Sequence, residues 1–130
     1  MTEGRPRLMA LSLIVPDYDP AIRFFCDGMG WTLRDDIDQG HKRWVTVAPP
    51  GAGFKLVLAR AEGETQRRGI GAQGAGRVLL FLETDDFDRD AARIIAAGGQ
   101  FEEAPRDEPY GRVAVWRDPW GNRWDLIQPR

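Results

Sequence analysis

The chain has 130 residues, 42% of them hydrophobic and 29% charged, with a formal net charge of −2. That length suits one domain burying roughly two-thirds of its unfolded surface, and the composition is that of a globular protein rather than a disordered one. The small net charge gives no pull toward nucleic-acid phosphates, and no apolar run approaches the ~20 residues of a membrane span.

The opening stretch MTEGRPRLMALSLIV has no small-residue cleavage site and runs straight into a strand pattern, which argues against a signal peptide. The single cysteine, Cys26, cannot form an internal disulfide, so a cytoplasmic setting is expected. A β-rich run at 9–15 predicts the first strand. Asp17 or Asp19, ahead of Pro20, then caps a helix, because Asp accepts the orphan amides of the first turn and Pro suits the first helical position. Ile22, Phe25 and Cys26 form the predicted apolar face, where Cys26 is a small buried hydrophobe rather than a nucleophile. Gly28 and Gly30 end the helix, and strands follow at 31–37, 43–48 and 54–60.

The segment AEGETQRRGIGAQGAG, 61–76, reads as a flexible surface linker. Beyond it come a strand at 78–83 and a helix capped by Asp86 or Asp88 with Ala91, Ile94 and Ile95 on its apolar face. Gly98 and Gly99 stop that helix, and strands are predicted at 100–103, 112–117 and 123–128. Asp17 matches Asp86, Tyr18 matches Phe87 and Gly30 matches Gly99, all at an offset of 69. An ungapped register over a whole strand–helix unit points to an internal duplication. The order is βαβββ twice, with modules at about 8–60 and about 77–130 of a single domain, an α+β fold with antiparallel hairpins.

SLIVPDYDPAIRFF followed by GMGW, then LETDDFDRDAARIIAAGG, and above all DPWGNRWDLIQ occur in order across almost the whole chain. The sequence thereby resembles the vicinal oxygen chelate superfamily, which includes glyoxalase I, bleomycin-resistance proteins and extradiol dioxygenases. The resemblance implies two βαβββ modules curled into an open, barrel-like cup, and a homodimer. In metal-dependent members four cup-facing side chains, usually His or Glu, hold a divalent ion. Here the matching positions are Ala10, Leu79, Asp125 and either Leu56 or Val57. Three of the four cannot ligate, whereas a catalytic metal needs about three N, O or S ligands. The one histidine, His41, stands in a predicted turn, too little for the two histidines of a facial-triad iron site. No metal and no other cofactor is expected.

Strand alternation places the remaining candidates. If Ala10 faces the cup, so do Ser12 and Ile14, then Leu79, Phe81 and Glu83, then Arg123, Asp125 and Ile127. Trp44 and Trp116 on third strands line the same cup or pack in the core, and Tyr110 precedes a strand where a loop could cover the mouth. Ser12, Leu79, Phe81, Trp44, Tyr110, Trp116, Arg123 and Asp125 form the predicted ligand-binding set. Greasy walls with a few convergent polar groups are the usual makeup of a small-molecule site. Asp125 either pairs with Arg123 or another cup-facing basic group, or orients a ligand; unpaired and buried, its raised pKa would suit a catalytic acid or base. The expected function is metal-independent binding of a small, partly aromatic organic molecule, with no nucleic-acid or membrane partner. The alternatives are a glyoxalase-type lyase or isomerase using Asp125 as base or partial metal ligand, and a domain that serves protein association.

Overall fold

In a computed structural model that describes residues 4–130, each half of the chain builds its own sheet. Residues 1–3, the start of the stretch read above for a signal peptide, lie outside the described residues. The first half comprises β1 (Ala10–Val15), α1 (Tyr18–Ile22), β2 (Thr32–Asp38), β3 (Arg43–Ala48) and β4 (Lys55–Arg60), in the sheet order β1-β4-β3-β2. The connection carries a short helix, α2 (Gly63–Gly69). The second half comprises β5 (Val78–Glu83), α3 (Phe87–Ala97), β6 (Gln100–Phe101), β7 (Arg106–Glu108), β8 (Gly111–Arg117) and β9 (Arg123–Pro129). Its order is β5-β9-β8-β6, with β7 also paired to β8.

The two sheets repeat the same parallel pairing. Leu11, Ser12 and Leu13 pair in parallel with Leu56, Val57 and Leu58. Leu80, Phe81 and Leu82 pair in the same way with Trp124, Asp125 and Leu126. The helix caps correspond too, since Asp17 Oδ1 accepts from Tyr18 N at 2.8 Å and Asp86 Oδ1 from Arg89 N at 3.1 Å. Of the alternatives left open by the sequence, the first Asp of each pair is therefore the cap.

Four local expectations need correction. α1 runs on into a wider π-helical segment, Arg23–Gly28, in which Phe24 and Phe25 are both buried. The cause is that this helix has neighbours on two sides: Phe24 meets Trp120 with ring centroids 5.5 Å apart, and Phe25 meets Trp31 at 4.9 Å. In α3 the packed stripe is Phe87, Ala91 and Ile94, a helical spacing, and Ile95 turns to solvent. The connection at 61–76 is held rather than loose. Beyond α2, Gln73 accepts from Ile14 N at 2.7 Å and donates to Ser12 O at 2.9 Å, closing part of the free edge of β1. A Cβ on Gly71, which has φ +72°, would lie 2.0 Å from Trp120 O, so the connection also rests on the last turn. Finally, β6 ends at Phe101, and the additional short strand β7 pairs with β8.

One core spans both halves. It joins Leu13, Val45, Leu56 and Leu58 of the first sheet to Trp116, Trp124 and Leu126 of the second, through Phe24, Phe25 and Ile94. The sheets therefore meet back to back across the helices, and their opposite faces look outward. The helices touch where a Cβ on Gly28 would lie 2.4 Å from Ala97 Cβ.

Candidate ligand-binding cup

The outward faces carry the predicted site. Because Ser12 pairs with Val57 as Phe81 pairs with Asp125, the counterpart of Asp125 in the first half is Val57, and Leu56 belongs to the core. The first face bears Ala10, Ser12 and Val57, and strand alternation adds Trp44 and Thr46 of β3. The second bears Phe81, Glu83, Arg123, Asp125 and Val115. Phe81, on the edge strand β5, is 67% exposed, a high value for a phenylalanine.

Two predicted lining residues stand elsewhere. Trp116 is fully buried and stacks on Trp124 with centroids 4.8 Å apart. It pairs with Trp124 rather than with Asp125, so the pleat turns it into the core, as one of the two sequence alternatives held. Leu79 is the extra residue of a β-bulge: Val78 pairs with Arg123 and Leu80 with Trp124, leaving Leu79 between them, packed against the core. The bulge removes it from the regular cup-facing row. Tyr110 is exposed at the β7–β8 turn, five residues and roughly 17 Å along the strand direction from Val115, the residue opposite Asp125.

Asp125 does not pair with Arg123. That guanidinium is taken by Glu102, with two contacts of 2.9 Å, and by Gly76 O at 2.9 Å. Arg106 is taken by Glu103 at 3.0 Å. Asp125 Oδ1 is buried and has no hydrogen-bond partner. Burial raises its carboxyl above the usual carboxylate range, Arg106 opposes that rise, Glu103 adds to it, and Arg123 opposes it. Glu102 moves the other way: its hydrogen bond from Arg123 holds it below the usual range. On the first face, hydrogen bonds from Thr46 (2.5 Å) and Lys55 (3.1 Å) hold Asp35 low in the same way.

Sequence reasoning missed Lys55, Asp35, Thr46, Glu102, Glu103 and Arg106. Alternation on β4 could have found Lys55, which shares the parity of Val57. The carboxylates could not have been assigned, because β2 is bulged between Leu33 and Asp35 and β6 ends early.

A metal does not fit these residues. Ala10, Val57, Leu79 and Asp125 offer one carboxylate where about three donors are needed. Among the described residues no three His, Cys, Asp or Glu side chains converge, and His41 is exposed in the β2–β3 turn. Burial, aided by Asp27, raises the Cys26 thiol pKa, which disfavours the thiolate a nucleophile needs.

A cleft of about 480 Å³ between the halves is lined by Trp31, Pro49, Leu82, Thr84 and Arg93, and it contains neither Ser12 nor Asp125. A smaller hollow of about 180 Å³ is bordered by Lys55 of the first half and Phe81 of the second, together with Trp31, Leu56 and Trp124.

Paired βαβββ sheets of this kind, ending in a DPWGN turn, match a sequence profile of the Glyoxalase/Bleomycin resistance protein/Dioxygenase superfamily over residues 7–126. The chain belongs to this superfamily. An uncharacterized protein of Shewanella frigidimarina is 46% identical over 124 residues, 93% of this chain and 92% of its own. Among solved structures, UcmS2 aligns at 30% identity with a TM-score of 0.80, covering 95% of this chain and 98% of that one. TnmS3, an antibiotic binding protein from Streptomyces sp. CB03234, aligns at 32% identity with a TM-score of 0.76, covering 99% and 100%. The superfamily's fold is thus present throughout, in an α+β chain with two sheets. Among the described residues no helix is long and apolar enough to cross a membrane.

Proposed function

We propose that this protein binds a small, partly aromatic organic molecule in its cup and does so without a metal ion. The observation that carries the reading is the set of side chains at the four superfamily ligand positions, where alanine, valine and a bulged leucine accompany one carboxylate. Around them the faces keep what organic ligands use: Trp44 and Phe81 as flat apolar contacts, with Ser12, Arg123 and Asp125 for orientation. The similarity to TnmS3 supports the same reading.

A single chain leaves Phe81 67% exposed, so a closed cup needs a second wall. A homodimer supplies it, the first face of one copy opposing the second face of the other. The matching ladders of the two halves support an internal duplication as the origin of both walls, and the lone cysteine accords with action in the cytoplasm.

The test combines metal analysis of protein purified without chelators with a thermal-shift screen of polycyclic aromatic compounds. The expected result is sub-stoichiometric Ni, Zn, Fe and Mn together with ligands that raise the melting temperature; a ligand at 100 times its Kd stabilises by about 2.7 kcal/mol. Stoichiometric metal would sink the metal-independent reading, and a flat screen the binding role. One observation favours a second reading: the buried, unpartnered Oδ1 of Asp125 and its raised pKa suit a general acid or base. In that lyase or isomerase, Asp125→Asn abolishes turnover.

A further inference from the structure

The two halves repeat an ion pair that sequence alternation alone did not reveal. Two residues before Val57 and two before Asp125, the last strand of each half carries a cation on the cup face, Lys55 and Arg123. Each is held by a carboxylate from the second strand region of its own half: Lys55 Nζ lies 3.1 Å from Asp35 Oδ2, and Arg123 Nη2 lies 2.9 Å from Glu102 Oε1. The carboxylates correspond as well. Asp35 pairs with Thr46, the β3 partner of Val57. Glu102 N donates to Val115 O at 3.0 Å, and Val115 is the β8 partner of Asp125.

These cations retain capacity to bind. An ammonium has three donors, and the hydrogen bond of Lys55 Nζ to Asp35 uses one of them. On the second face Glu102 serves both Arg123, at 2.9 Å, and Arg117, at 2.8 Å, so two guanidiniums share one carboxylate. Asp125 has its Oδ1 turned into the protein. Each wall therefore carries one cation with donors to spare, Lys55 on the first and Arg123 on the second.

We propose that Lys55 of one copy and Arg123 of the other make the cup selective for an aromatic organic anion, a carboxylate or phenolate whose oxygen accepts from both. The inference rests on the proposed binding role and names its ligand class. Asp35 and Glu102 position the two cations and keep the empty cup near neutrality. The anion then takes the donors that Asp35 and Glu102 leave free, in a partly desolvated site where charge-assisted hydrogen bonds are strong.

The experiment is calorimetric titration of the intact protein with 2-naphthoate and with its neutral isostere 2-naphthamide. Wild-type protein binds the anion at least about tenfold more tightly, the value of one charge-assisted hydrogen bond. Lys55→Met and Arg123→Met each remove that preference, and a cooperative thermal unfolding transition shows that the variants are folded. Lys55→Arg keeps the preference. Equal affinity for the two probes, or a preference that survives both methionine substitutions, overturns the anion assignment and leaves the binding role standing. Failure to bind either probe defeats both.

Discussion

Asp118 and Asp125 lie on either side of the last turn of the chain, seven residues apart, and their surroundings treat them in opposite ways. Asp118 is 4% exposed and accepts four hydrogen bonds at 3.0 Å, from Trp120 N, Asn122 N, Asn122 Nδ2 and the Trp124 indole. Its charge is spread over donors fixed by a tight turn. Asp125 lies one residue beyond Trp124 on the opposite face, and it has burial without donors: its arginine neighbours are committed to Glu102 and Glu103. The contrast separates what holds the hairpin together from what remains available to a ligand. A buried carboxylate with all its donors supports the fold, whereas one left without donors costs stability and signals another use.

The sharpest way to break this contrast is Asp118→Ala. It strands a buried indole N–H and the Asn122 amides, and the expected loss is on the order of 3 kcal/mol, measured by chemical denaturation. Gly28→Ala comes next and probes the core behind the turn. Its Cβ would lie 2.4 Å from Ala97 Cβ, within the helix contact that keeps the sheets back to back. Overpacking of this kind costs about 1–3 kcal/mol, and a variant as stable as wild type would mean the helices separate easily.

The smallest effect belongs to Asp125→Asn and has the opposite sign. Burial raises the folded-state pKa of Asp125, so its contribution to stability is present below the unfolded-state value of ~3.9 and is lost as pH rises through the folded-state value. Asparagine cannot ionise and escapes that loss. The variant should melt above wild type at neutral pH, and the gap should close as pH falls toward ~4. A gap that is absent or reversed at neutral pH would mean that Asp125 finds donors in solution.

Much of the fold was legible because it rests on local signals. The capping Asp residues, the glycine stops and the strand–helix spacing repeat at 69 residues, and the structure follows them. The cup faces were legible wherever alternation ran unbroken, as for Ser12, Phe81, Arg123 and Asp125. It failed where the backbone departs from strict pleating and where the register between strands decides the face. The bulge at Leu79 displaced a predicted wall residue, and the pairing of Trp116 with Trp124 sent a candidate aromatic inward. Neither departure leaves a mark in local composition, because leucine and tryptophan suit both faces of a sheet.

Sequence alone determined the order of elements, the superfamily resemblance and the lack of ligating side chains at most of the four matching positions. Each of these depends on residue identity at a fixed spacing. Only the tertiary structure decided that Val57 is the counterpart of Asp125 and that Glu102 rather than Asp125 answers Arg123. It also decided that the two sheets share one core. These outcomes depend on strand register, on competition among charges for the same guanidinium, and on which faces the shared aromatic core turns inward. All three are settled by contacts between residues distant in the chain.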